Sequence, residues 1–280
     1  MSFPIIINST NNVTPNTYKV SLSNTTDLNE YNVSIGSCFI YNSWYNINQS
    51  PLNNNQYTLT IPRSGGSDTL IITIPDGSYN ISDLNNQLQY TLIANGYYIY
   101  NTTTLINTFY CAFELSPTNY SVQFITYVMP TSLPAGYTSG GMTFSASANQ
   151  QYQITISSSN NFKDIIGFNA GTYPTSSTNS TTQTHSSDYV PDVNPVSAVQ
   201  IRLSCLYNHL SSNSQLLHVF TNGNTAIGEM IDASPNELQF VPCIGSHKEL
   251  ILSFYDQNGN VLNLLDTNLV IKLIFKKKDL

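Results

Sequence analysis

Residues 248–275 read KELILSFYDQNGNVLNLLDTNLVIKLIF. Two β-rich runs, KELILSFYD and NLVIKLIF, flank Asn258-Gly259, a dipeptide favoured where both central residues of a tight turn take positive φ. The spacing predicts strand, turn and returning chain, and therefore a hairpin. Three further runs precede it, VSAVQIRLSCL, QLLHVFT and NELQFVPC, so the last third of the chain offers five strand candidates. The first half carries more of the same: TYKVSLS, YNVSIGSCFIYNSWYNI, QYTLTIP, TLIITIP, YYIYN, FYCAFEL, YSVQFITYV and QYQITIS. In QYTLTIP, Tyr57, Leu59 and Ile61 alternate onto one face. Many short strands with turns between them predict an antiparallel sandwich or barrel.

One segment breaks the pattern. In ITIPDGSYNISDLNNQLQYTLIANGYY, residues 72–98, Ile81, Leu84, Leu88 and Leu92 recur at helical spacing. Ser82 is the expected N-cap, Asp83 favours the helix N-terminus, and Gly96 stands where a left-handed C-cap belongs. About eight strands lie outside this helix-containing middle, the number a jelly roll uses; strand count alone does not separate it from an immunoglobulin-like sandwich. The stretches 130–149, rich in Gly, Pro and Ser, and 172–195, rich in Ser and Thr, read as long exposed loops.

The chain has 280 residues, 40% hydrophobic but only 9% charged, with net charge −7. A surface built from Asn, Ser, Thr and Gln carries little charge to keep copies apart, which suits a working state that is an assembly. An AT-rich coding sequence produces the same bias with no functional cause. The net charge argues against gripping nucleic acid with the whole surface. The one basic cluster, Lys276–Lys278, reads as a solvated tail. Cys38, Cys111, Cys205 and Cys243 form no CxxC pair and sit in apolar runs, so they read as buried free thiols in a reducing compartment. Neither a signal peptide nor a stretch near ~20 apolar residues is visible, and the expectation is a soluble protein.

Candidate chemistry is sparse. His185, His209, His218 and His247 show no HExxH or other metal-ligand spacing. Asp256–Asn260, DQNGN, superficially looks like a calcium loop but lacks the terminal bidentate Glu. GxSxG, phosphate-binding and dinucleotide-binding glycine patterns are absent. The sequence therefore assigns no catalytic, cofactor-binding or metal-binding residues and no cofactor, and reads as a non-enzyme. The 19 Tyr and 12 Phe are spread along strands, where packing and interfaces use them.

TIPDGSYNISDLNNQL resembles an IPxGxY…xxLxxxL module of viral jelly-roll capsid proteins, and NNFKDIIGFNAGTYP, with Ile166-Gly167-Phe168, resembles their apolar LGF segment. The C-terminal VQIRLSCL, LQFVPC and LILSFYDQNGNVLNLLDTNLVIKLIF are similar to theirs too. The family is the minor capsid, or penton, proteins of virophages and Polinton-like viruses, and the likeness runs over roughly residues 56–275. It implies an all-β, antiparallel single jelly-roll sandwich with an inserted β-rich subdomain containing one short helix. Residues 1–15 read as an N-terminal arm or an edge strand, with jelly roll at 16–75 and 196–280 and insert plus linker at 76–195; the first 55 residues match no motif of the family and are placed by strand pattern alone. The likeness also implies a structural subunit forming homopentamers at the five-fold vertices of an icosahedral virion, assembled in the host cytoplasm. The partners implied are further copies of itself, the major capsid protein and, at the exposed vertex, a host receptor; no specific nucleic-acid or membrane binding is expected. The alternative is a β-sandwich attachment protein, fibre-like or lectin-like, that binds through the two polar loops.

Overall fold

The computed structural model describes residues 2–209, 211–223 and 225–278. The chain forms two compact units, Met1–Trp44 with Val196–Leu280, and Tyr45–Pro195, each with its own apolar core.

The first unit opens with β1 (Ser2–Asn8), β2 (Asn12–Thr14), β3 (Thr17–Asp27) and β4 (Tyr31–Tyr41). After the ten strands of the other unit come β15 (Val199–Leu203), β16 (Leu216–Phe220), β17 (Met230–Asp232), β18 (Val241–Pro242), β19 (Ser246–Asp256) and β20 (Val270–Lys277). One sheet runs β1-β20-β4-β17, with β18 also on β4; the other runs β16-β15-β19-β3-β2. Every pairing is antiparallel. Without the short β2 and β18, the eight principal strands in unit order give 1-8-3-6 in one sheet and 5-4-7-2 in the other. That order defines a single jelly roll and excludes the immunoglobulin arrangement.

Alternation builds the core between the sheets. Leu250, Leu252 and Phe254 of β19 are buried in one sheet, and Ile271, Leu273 and Phe275 of β20 in the other. In β4 the buried parity switches from Val33 and Ile35 to Cys38 and Ile40, because the register against β20 slips at Gly36. A bulge adds one residue and re-aims everything after it.

The expected C-terminal hairpin is half formed. The turn is present, with Gly259 at φ +83° and a bridge between Tyr255 and Val261. Asp256 ties it: Oδ1 accepts from the amides of Asn258 and Asn260, both at 2.8 Å, and Oδ2 from Asn260 Nδ2 at 2.9 Å. Then the chain leaves the sheet. Leu262, Leu264 and Leu269 are buried in the first unit's core, and the next strand, β20, joins the opposite sheet. Burying three leucines between two sheets outweighs continuing one ladder.

Of the two readings of the N-terminal residues, the structure takes the edge strand and not the arm. β1 pairs with β20 along its whole length, from Ser2↔Lys276 to Asn8↔Val270. The basic C-terminus is likewise part of the fold: Lys277 Nζ lies 2.8 Å from Glu30 Oε2, and the Lys278 amide donates to the Glu30 carbonyl.

The second unit carries β5 (Gln56–Arg63), β6 (Gly66–Thr73), α1 (Ile81–Ala94), β7 (Ile99–Asn101), β8 (Asn107–Thr108), β9 (Cys111–Leu115), β10 (Val122–Thr126), β11 (Tyr137–Ser139), β12 (Gln153–Ile156), α2 (Phe162–Ile166), β13 (Gly171–Tyr173) and β14 (Gln183–Ser186). They make three small sheets, β13-β12-β5-β6, β14-β10-β9 and β11-β7-β8. The unit boundary lies at Trp44/Tyr45 and not at the expected 75/76, because β5 pairs with β12 and β6 and contributes Tyr57, Leu59 and Ile61 to the second core.

Helix α1 buries Ile81, Leu84, Leu88 and Leu92, as its spacing predicts. Its N-cap is Asn80 rather than Ser82. Asn80 Oδ1 accepts from the Asp83 amide while Asp83 Oδ2 accepts from the Asn80 amide, a reciprocal capping box. Gly96 takes φ +76°, its amide donates to Ile93 and the Tyr97 amide to Leu92, which completes a Schellman end. The polar stretch 172–195 is partly strand: β14 pairs with β10, and buried Gln151 donates from Nε2 to the Thr181 carbonyl and accepts at Oε1 from Thr126 and Asn179. The stretch 130–149 contains β11, paired with β7.

Candidate assembly surface

Two sheets packed face to face leave four edges. On one side of the first unit the free edges are β16, which pairs only with β15, and β17, which pairs only with β4. Both are short, which limits the length of unpaired backbone they present. What they present beside that backbone is apolar: Val219 on β16 is 47% exposed and Met230 on β17 is 55% exposed. Ile227 before β17 and Leu238 and Phe240 after it are exposed as well. Isolated surface apolar groups need no cause, but five on one edge and its flanking loops make this the candidate surface.

A cleft of about 590 Å³ opens on the same side, lined by His218, Phe220, Asp232, Ser234, Glu237 and Gln239 among others. His218 Nε2 lies 3.0 Å from the carbonyl oxygen of Ala233, a link from β16 to the segment that follows β17. The imidazole also stacks on Phe220 at 6.2 Å. Burial pushes the His218 pKa below its usual value, only partly opposed by the Ala233 carbonyl, so the ring is a neutral donor at pH 7. The Ser234 amide and hydroxyl hold the exposed Asp232 carboxyl below its ordinary range. Ser234 Oγ in turn accepts from the Cys38 amide at 3.0 Å, and the Ala233 amide donates to the Cys38 carbonyl, so the segment is fastened to β4. The β16–β17 connection is fixed likewise: Asn42, 4% exposed, donates from Nδ2 to the Thr225 carbonyl, and its own carbonyl accepts from the Gly228 amide.

Cys38 is buried in the first unit, where burial pushes its thiol up to about 12. Cys111 is buried in the second, with its pKa raised by the same cause. A thiol so placed is not a nucleophile. His185, on strand β14, lies tilted against the Tyr173 ring at 5.9 Å, His209 is exposed, and His247 Nε2 meets the Ile244 carbonyl at 2.7 Å. Among the described residues no group of three His, Cys, Asp or Glu side chains is placed to hold a metal ion, and no helix is long and apolar enough to cross a membrane.

No family model and no curated protein matches the sequence. Among solved structures the chain is similar to the crystal structure of selenomethionine-labelled mavirus penton protein. The identity is 12%, the TM-score 0.43, and the match covers 99% of this chain and 98% of that one. The jelly-roll assignment rests on the strand pairings themselves.

Sequence reading missed two features of this surface. NELQFVPC was expected to be a strand, yet only Val241–Pro242 forms one, and Leu238 and Phe240 are left outward. Their alternation was a signal for one apolar face but not for which side it turns. The second feature is a thiol contact. Cys205 Sγ lies 3.8 Å from Cys243 Sγ, and no local motif announces a pair 38 residues apart.

Proposed function

We propose that this chain is a structural capsid subunit of the penton type, which assembles into homopentamers at the vertices of an icosahedral virion and meets the major capsid protein there. The exposed apolar β16–β17 edge carries this reading, because it is pinned by partly buried hydrogen bonds and so is available to a partner without rearrangement. The jelly-roll order, the sparsely charged composition and the capsid-like order of motifs along the sequence support it. Structural assembly needs no catalytic group.

The test is the solution mass of the purified chain by native mass spectrometry or sedimentation. The expected species is five times the 31.0 kDa chain, and Val219→Asp together with Met230→Asp returns it to monomer. A wild-type protein that stays monomeric at every concentration, alone and with the major capsid protein, would overturn the reading.

An attachment role at the same vertex is favoured by one observation in the second unit. Leu105, on the turn between β7 and β8, is 73% exposed and held at φ +59°, a conformation that costs a branched apolar residue energy. If that tip binds a host surface, Leu105→Ser with Ile106→Ser lowers cell binding and leaves the oligomer intact. Unchanged cell binding by that variant would remove the attachment reading.

A further inference from the structure

Cys205 stands two residues beyond β15, and Cys243 directly follows β18. Between them, residues 206–242 run out through β16 and β17 and back. The two ends of this excursion are held side by side by backbone pairing: the Ile244 amide donates to the Cys205 carbonyl at 2.9 Å and the Tyr207 amide to the Pro242 carbonyl at 3.1 Å. A bridge between Leu206 and Cys243 lies between those bonds. At this neck the Cys205 thiol donates to Cys243 Sγ at 3.8 Å, and both residues are 0% exposed.

We propose that Cys205 and Cys243 are a redox pair that a peroxide closes into a disulfide, tying the neck of the 206–242 excursion. Two thiols brought into van der Waals contact by paired backbone need only side-chain rotation and a small approach to reach a disulfide's ~2.05 Å. The step balances. One cysteine sulfur attacks the peroxide O–O bond, becoming a sulfenic acid with release of water. The second sulfur then displaces that hydroxyl as a second water, so two thiols are oxidised and one hydrogen peroxide is reduced.

Burial sets the conditions. The hydrogen bond to Cys243 and desolvation both raise the Cys205 pKa, so the reduced pair is inert while the fold is closed. Access comes from the neighbours: Tyr207 and Ile244 are exposed, and the oxidant enters when the neck opens locally. A peroxide is small enough for that opening. In a reducing cytoplasm the pair stays as thiols, and outside the cell it closes once. Because the excursion carries Val219, Met230, Leu238 and Phe240, the disulfide would stiffen the apolar edge whether or not that edge is a subunit interface.

The experiment uses the full wild-type chain with a modest excess of hydrogen peroxide, followed by alkylation under denaturing conditions and peptide mapping. The expected product is about 2 Da lighter, contains one cross-linked peptide joining Cys205 and Cys243, and has Cys38 and Cys111 alkylated as free thiols. Its Tm should rise by roughly 5–10 °C and fall back on reduction with dithiothreitol, since the link closes a long loop. Cys205→Ser should give no cross-link and no peroxide-dependent shift. Any other pairing, sulfinic or sulfonic acid at these two positions, four unreacted thiols, or a cross-link that leaves Tm unchanged overturns the proposal. Should Cys205→Ser not fold, the wild-type peptide map and melting curve decide it alone.

Discussion

The jelly-roll unit and the inserted unit bury similar sets of apolar side chains by different means. The first uses long strands: β3, β4 and β19 each run eleven residues, and their alternating faces meet between two sheets. The second has strands mostly of five residues or fewer, so its ladders leave much backbone unpaired. Two devices replace them. Aromatic rings interlock in its core, with Tyr57 stacked on Phe162 at 4.8 Å and Phe113 against Phe124 at 5.3 Å. Buried amides then serve as substitute ladder rungs. Asn46 donates to the carbonyls of Tyr79 and Val193, both at 2.7 Å, and accepts from the Tyr79 amide. Asn54 bridges the Asn46 carbonyl and the Asn48 amide, while Asn55 reaches the Ile74 carbonyl. Asparagine abundance is thus not only a matter of surface. An amide side chain copies the donor and acceptor of a peptide group and satisfies backbone where no strand passes.

If the two cores are separate cooperative units, damage to one leaves the other protected, and hydrogen exchange reads this directly. Phe254→Ala should have the largest effect, about 3–5 kcal/mol, because the ring is fully buried and packs edge-on against Tyr18 at 5.8 Å. Exchange should rise across 2–44 and 196–278, with 45–195 unaffected. Leu88→Ala, at the centre of the α1 stripe, should cost about 2–5 kcal/mol and show the mirror image. Loss of protection in both units from either variant would break the comparison and join the cores.

Asn46→Ala sharpens it by testing the amide rungs. About 1–3 kcal/mol is expected for each buried backbone group left unpaired, confined to the second unit, whereas exchanging an exposed Asn such as Asn86 should change much less. A cost no larger than that of the surface exchange would show that water can take over. Asn80→Ala removes one half of the α1 capping box and should cost about 1 kcal/mol in a denaturant titration.

The smallest effect concerns pH, with one histidine in each unit. His218 and His185 both titrate below the ordinary 6.5 because burial disfavours the imidazolium. The unfolded chain therefore takes up protons first as pH falls. Stability is full above pH 6.5 and declines below it, until the folded rings also protonate. His218→Gln should flatten this decline for the first unit and leave the second unit's acid sensitivity, set by His185, in place. Identical acid profiles for the variant and the wild type would exclude His218 as its source.

The legible parts of the fold were the periodic ones. The α1 stripe, the alternation in β5 and the all-β class follow from side-chain spacing, which the sequence carries locally. What was hidden depends on contacts between distant segments. Nothing in SFPIIIN distinguishes a loose arm from an edge strand until β20 is beside it. The unit boundary was misplaced because the β5–β6 hairpin reads the same whichever core receives it. Ser82 seemed the cap because hydroxyls favour that position, yet Asn80 has the reciprocal partner Asp83 at the right distance. For the candidate surface, alternation in Val219, Leu238 and Phe240 marked one apolar face, but only the sheet order reveals that no strand covers it.

The order of pairing also sets a timetable for synthesis. Apart from the β2–β3 contact, none of the first four strands pairs with another of the four; their other ladder partners are β17, β18, β19 and β20. At about 5–20 residues per second, the ribosome needs on the order of ten seconds to a minute to bring the last of these out. Throughout that interval Met1–Trp44 is a tethered set of unpaired strands, while the inserted unit already holds every segment of its own core. The insertion therefore folds as a vectorial domain on the nascent chain. The jelly roll closes only once β20 has been made, and the nascent N-terminal strands are where a chaperone would act.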